Sequence, residues 1–366
     1  MTKVSAHPEL AAAELRIRAA RVLPPSASAD LAIVRGQGAY LWNADGGRFI
    51  DHFLSDGATV IGHSDPAVDE AAALAAARCD RTCVGLQPGE VELAERIVAS
   101  LPSAEKVAFV TSGGDALRCA LEIARAATGR RRILTWSGDA ATRTVFLGHR
   151  HDVAAVVVAP HPDSCLESVR ELATRYGSLL VFDERKTAFR HHLGGYQSIV
   201  GVAPDLTVLG EAMANGHPIA ALAGRADLID SIACDAVGGE TKGPHPAAVA
   251  AAGKTLELLE SGGVDRLLQL GNRLREGLTR ARDEAGADAR VTGFGSTWSV
   301  SWRRTSAADG FRAAMLAAGI LLPTSPGAAC HVCVATSTDD LDETIEAAAR
   351  AFRGSAPSTR DRRRST

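Results

Sequence analysis

Two short runs set the first expectation about the fold. Leu179-Leu180-Val181-Phe182 stops at Asp183-Glu184, and Leu206-Thr207-Val208-Leu209 stops at Gly210-Glu211. Continuous runs of this length, without polar alternation, suit strands buried on both faces of a parallel sheet. Val107-Ala108-Phe109-Val110, Arg132-Ile133-Leu134-Thr135-Trp136 and the stretches 153–159 and 219–223 extend the series. Helical periodicity is expected over 90–101, over a segment that follows Thr111-Ser112-Gly113-Gly114-Asp115-Ala116 and runs through Ala127, and over 246–259, 263–285, 308–318 and 339–353. Further strands are expected at 297–302 and 329–335. Asn43-Ala44-Asp45-Gly46-Gly47, between two alternating runs, reads as a β-hairpin turn. Strands that alternate with helices predict an α/β fold with a mostly parallel central sheet and a smaller C-terminal α/β domain. The expected limits are 1–50 for an N-terminal helix and hairpin, 51–245 for the large domain, 246–353 for a linking helix and the small domain, and 354–366 for a disordered tail.

Open α/β sheets bind ligands outside the carboxyl ends of their strands. Asp183 and Glu211, each just past such a run, are therefore expected to look into one crevice. Thr111-Ser112-Gly113-Gly114-Asp115 joins a strand to a helix, and a helix N-terminus presents backbone N–H groups and positive dipole to an anion.

Composition narrows the classes. At 366 residues and 46% hydrophobic content, the chain can bury a sizeable core in two lobes. A formal net charge of -3 gives no reason to expect nucleic acid as a partner, and Arg360, Arg362, Arg363 and Arg364 read as a solvated tail. No run is apolar for long enough to span a membrane. Abundant alanine and arginine with 4% aromatics read as a bacterial, high-GC composition. The seven cysteines lack framework spacing, which fits a reduced cytoplasm. Cys330-His331-Val332-Cys333 stands in an apolar run without a second pair, so it reads as structural, and no metal is expected.

The motifs taken together resemble a family. LLVFDE-x-x-T-x-FR, then LGG, then PDLT-x-LG, preceded by the hairpin and by Gly62-His63-x-x-Pro66, is similar to the class-III aminotransferases, which are fold-type I pyridoxal-phosphate enzymes. The nearest branch is that of the glutamate-1-semialdehyde aminomutases. The resemblance implies that Asp183 pairs with the pyridine nitrogen and that the residue after Leu209-Gly210 is the Schiff-base lysine. Glu211 stands there instead. It implies a phosphate cup at Ser112, Gly113 and Gly114, completed across a homodimer by Thr241. It places substrate beside the loop that holds Asp56, while Lys242 and His245 stand as replacements in the loop that carries Thr241. Where the family stacks an aromatic and a valine on the ring, this chain has Ala140 and Arg185, and a turn is expected at 137–142.

Glutamate cannot hold an aldehyde as an imine, but a positioned carboxylate can act as a general base. The reading favoured by the residues is a repurposed, non-transaminating enzyme of bacterial specialised metabolism. Glu211, Asp183, Arg185 and Lys186 would do acid–base work on a small anionic metabolite, with Arg185, Lys242, His245 and Asp56 binding it and no cofactor required. One alternative is a pseudoenzyme or binding scaffold. A second is non-covalent binding of pyridoxal or pyridoxamine phosphate by Asp183, Ser112, Gly113, Gly114 and Thr241.

Overall fold

The computed structural model describes residues 12–24, 31–79, 85–162, 164–231, 244–325 and 327–355. In chain order its strands are β1 (Ile33–Gln37), β2 (Tyr40–Asn43), β3 (Arg48–Asp51), β4 (Lys106–Val110), β5 (Arg132–Trp136), β6 (Val153–Val158) and β7 (Leu179–Asp183). They continue with β8 (Leu206–Leu209), β9 (Ala220–Gly224), β10 (Ala289–Thr292), β11 (Thr297–Trp302), β12 (Ile320–Leu321) and β13 (Cys330–His331). The chain divides into two units. One takes in Met1–Gly57, Ile61–Asp65 and Arg266–Thr366, and the other Ala58–Val60 and Pro66–Asp265.

The second unit is built on a six-stranded sheet of order β4-β9-β8-β7-β6-β5. Strands β5 to β8 are mutually parallel, and β9 runs antiparallel to both of its neighbours. Every residue of β6, β8 and β9 is buried, which explains why these strands are apolar without alternation. Ala116, Cys119, Ala120, Ile123 and Ala124, one face of the helix Gly113–Thr128, close over the sheet against Val110, Val157, Val181, Val208 and Leu222. Asp205 fixes the entry to β8. It accepts from Leu180 N at 2.7 Å and from Arg170 Nη1 at 2.9 Å, so β7 and β8 start in register and end together.

The first unit holds a sheet of order β1-β2-β3-β12 and another of order β10-β11-β13. The expected hairpin is β2–β3. Asn43 Oδ1 accepts from Gly47 N at 2.6 Å, and Gly46 takes the positive φ of 82° that the turn requires. Beyond β3 the chain makes a left-handed turn, with φ of 49° at Leu54, 55° at Ser55, 59° at Asp56 and 91° at Gly57. Such backbone costs about 1–2 kcal/mol per non-glycine residue, so other contacts must hold it. Asp51 does this: Oδ1 accepts from Phe53 N at 2.8 Å and Leu54 N at 3.1 Å, and Oδ2 meets His63 Nε2 at 2.9 Å. Gly57 is required, because a Cβ there would stand 2.7 Å from His331 Cε1.

Three expectations change. Residues 137–142 are not a simple turn but the start of the helix Ala140–His149. Asp139 caps it, accepting from Thr142 N at 2.6 Å, so the Ser-Gly-Asp sequence acts as a helix start signal. The strand expected over 329–335 is only β13, because Thr336 Oγ1 takes the Cys333 N–H at 3.1 Å and turns the chain out of the ladder. The final helix runs over Thr338–Ser355, two residues into the segment expected to be disordered. The rest of that segment, with its arginines, lies outside the described residues.

Cys330 and Cys333 are buried thiols, both pushed up by desolvation. Among the described residues there is no group of His, Cys, Asp or Glu able to hold a metal ion. No helix of the described residues is long and apolar enough to cross a membrane.

Candidate active site

The parallel pairing of β7 with β8 sets Asp183 opposite Val208, and Glu184 N continues the ladder to Val208 O at 2.9 Å. Three residues beyond Val208, the chain turns through Gly210 into a single 3-10 turn, Glu211–Met213, closed by Met213 N on Gly210 O at 2.9 Å. Glu211 opens that turn with φ +29°, an unfavourable value for a residue with a side chain, and its Oε2 is buried. On the far side, β4 ends at Val110, and Thr111-Ser112 lead into the helix Gly113–Thr128.

Arg185 lies between these turns. Its Nε donates to Asp183 Oδ1 and its Nη2 to Asp183 Oδ2, both at 2.7 Å, a forked pair. Its stem runs across the first turn of the helix. A Cβ on Gly113 would be 2.4 Å from Arg185 Cδ, and one on Gly210 would be 3.5 Å from Arg185 Cγ. Those hydrogen bonds, followed by the charges of Asp183 and Glu211, hold the Arg185 guanidinium more firmly protonated than usual. Asp183, Arg185, Glu211, Gly113 and Gly210 thus form one cluster within the second unit. Lys186, next in sequence, is exposed.

The Ser112-Gly113-Gly114 turn has the geometry expected of a helix start. Ser112 Oγ accepts from Asp115 N at 3.2 Å and donates to Asp115 Oδ2 at 2.7 Å, and Asp115 also takes Arg118 Nη2 at 3.0 Å. The Ser112 hydroxyl and then the Arg118 guanidinium keep the Asp115 carboxyl below its usual range. His245 is the N-cap of the helix Pro246–Leu258, its Nδ1 accepting from Ala247 N at 3.1 Å, so that nitrogen is committed to the backbone. Asp56 sits on the left-handed turn of the first unit. Thr241 and Lys242 lie outside the described residues.

One group in this region drew no attention in the sequence beyond its place in the Asp-Glu pair. Glu184, on the opposite side of the chain from Asp183, is 0% exposed. Its Oε2 accepts from Tyr196 N at 2.6 Å and Thr187 Oγ1 at 3.2 Å, whereas Oε1 is buried with no hydrogen bond among the described residues. Desolvation pushes its carboxyl up to about 7 against these bonds. Gly195 comes so close that a Cβ would lie 2.8 Å from Oε1, and its φ of +67° suits glycine.

Comparison with known proteins adds the family context. The profile of the family described as aminotransferase class-III matches residues 24–147 and 150–352. A glutamate-1-semialdehyde 2,1-aminomutase of Thermomicrobium roseum is 35% identical over 388 residues, covering 87% of this chain and 90% of that protein. One from Rhodopirellula baltica is 32% identical, covering 91% of each. Among solved structures, an omega-transaminase from Sphaerobacter thermophilus superposes with a TM-score of 0.83 at 27% identity, covering 97% of this chain and all (100%) of that one. A β-phenylalanine aminotransferase from Variovorax paradoxus gives 0.79 at 27% identity, covering 93% of each chain.

Proposed function

The chain belongs to the class-III aminotransferase family and has its fold-type I α/β architecture, and from that premise we propose that its crevice does acid–base chemistry on a small molecule instead of exchanging amines. Glu211 is the general base, moving a proton at its carboxylate. Asp183 and Arg185 set the charge and geometry beside it. The observation that carries the reading is Glu211 itself. It is an acidic side chain on strained backbone at the end of β8, in electrostatic contact with Arg185. Strained residues of this kind cluster at functional sites.

The family implies pyridoxal phosphate, and the described residues do not fit it well. Position 211 offers a carboxylate, not an amine. Both oxygens of Asp183 already accept from Arg185, and the Arg185 stem fills the space before Gly113. The same geometry gives less support to an anionic substrate. Arg185 stands against two carboxylates, and Lys186, next to it, is exposed. A binding scaffold is the competing reading, favoured by Ala140, exposed where the family resemblance implies an aromatic stacked on the ring.

Borohydride reduction of the purified protein with added pyridoxal phosphate, followed by mass spectrometry of peptides, tests the proposal. No lysine should carry the cofactor, and an adduct on Lys186 or Lys242 would overturn it. The protein is further proposed to be a homodimer, as the family resemblance implies. Sedimentation at micromolar concentration should give twice the 38.1 kDa chain mass.

A further inference from the structure

We propose that Arg185 is a built-in occupant of the crevice: its guanidinium takes the place on Asp183 of a protonated ring nitrogen, so one side chain determines whether this fold accepts a pyridoxal-type ligand.

Three observations converge on it. The forked pair is complete, with one 2.7 Å bond to each carboxylate oxygen. A planar cation that donates two parallel hydrogen bonds to a carboxylate is a chemical stand-in for a protonated heteroaromatic N–H, and one that stays charged and makes two bonds where the ring makes one. The space is also occupied, not merely approached. The would-be Cβ of Gly113 lies 2.4 Å from Cδ and 3.2 Å from Cγ of Arg185, and the would-be Cβ of Gly210 lies 3.5 Å from Cγ and 3.7 Å from Gly113 Cα. The turn before the helix and the turn after β8 thus close on the arginine stem, and a flat ring has no room between them while the stem is there. Finally, Glu211 adds its charge to the hold on the guanidinium, so the substitutions at 185 and 211 support each other. A ligand that seeks Asp183 must break two charge-assisted bonds and displace a cation from between two anions.

The inference is independent of whether Glu211 acts as a base. The probe is pyridoxamine 5′-phosphate, which needs no lysine, titrated into the full-length chain and followed by ligand fluorescence and by the shift in Tm. Wild-type protein should bind it weakly or not at all. Arg185→Val should bind at least about a hundredfold more tightly, the effect of no longer breaking the forked pair. Arg185→Val with Asp183→Asn removes the acceptor as well and should lose that gain. Should the valine variant fail to fold, Arg185→Lys keeps the charge without the fork and should show a smaller gain in the same direction. Wild-type affinity equal to that of Arg185→Val, or no gain in any folded variant, would overturn the proposal. Glu211→Gln removes only the second anion beside the guanidinium and should give a smaller gain than Arg185→Val.

Discussion

The backbone N–H of Tyr196 donates to Oε2 of Glu184 at 2.6 Å, one of the bonds on a carboxyl that is 0% exposed. Those bonds do not overcome desolvation, and the carboxyl titrates at about 7 instead of the ordinary 4.5. A raised acid binds its proton more tightly when folded, so the native state loses stability as pH rises from about 4.5 to about 7 and does not regain it above. The full loss is on the order of 3 kcal/mol. Glu184→Gln should flatten this dependence. It should unfold later in urea than wild type at about pH 8 and no later at about pH 5. An unchanged pH profile would assign the effect to another group.

The approach of Gly195 to the same carboxyl can be tested separately. Gly195→Ala adds a methyl 2.8 Å from Oε1 at a φ of +67°. The expected cost is about 2–3 kcal/mol, combining backbone strain with overpacking. Denaturant midpoints at constant m-value would measure it, and a neutral result would mean that the loop around 195 gives way freely.

Asp51 should be one of the more sensitive polar positions of the first unit. Asp51→Ala removes the acceptor of Phe53 N and Leu54 N and the partner of His63 Nε2. With a left-handed turn no longer held, a loss of about 2–4 kcal/mol is expected. Hydrogen exchange should show residues 53–57 opening first.

The cap at the crevice helix is a smaller effect. Ser112→Ala leaves Asp115 N without its side-chain acceptor and should cost about 1 kcal/mol. A drop in Tm with no change in the far-ultraviolet spectrum below the transition is the expected record.

For Glu211, loss of basicity with shape retained is the decisive change. Glu211→Gln should lower turnover of the true substrate by about 10²–10⁴-fold with folding intact. A variant of full activity, or one that only melts earlier, would favour the scaffold reading. Glu211→Lys should abolish the same activity, and Arg185 should still keep transamination from being restored.

What the sequence determined by itself is the frame. Strands β6, β8 and β9 are buried on both faces, and a residue between two layers must be apolar or, like Thr207, hydrogen-bonded. Their runs were therefore legible without coordinates. The end of each run likewise marked Asp183 and Glu211 as residues at the carboxyl edge of the sheet. Family motifs then supplied the positions from which Glu211 and Arg185 depart. Only the tertiary structure decided how those side chains are used. Asp183 and Arg185 are two residues apart in sequence, yet nothing in the spacing says that the fork closes on the carboxylate, because that depends on Gly113 and Gly210 arriving from other strands. Glu184 gave no sign of its raised titration, since desolvation is set by everything packed around it, and His245 turned out to cap a helix. A strand's pattern records which face is covered. The charge state and partner of a polar side chain record distances between elements, and those exist only once the chain has folded.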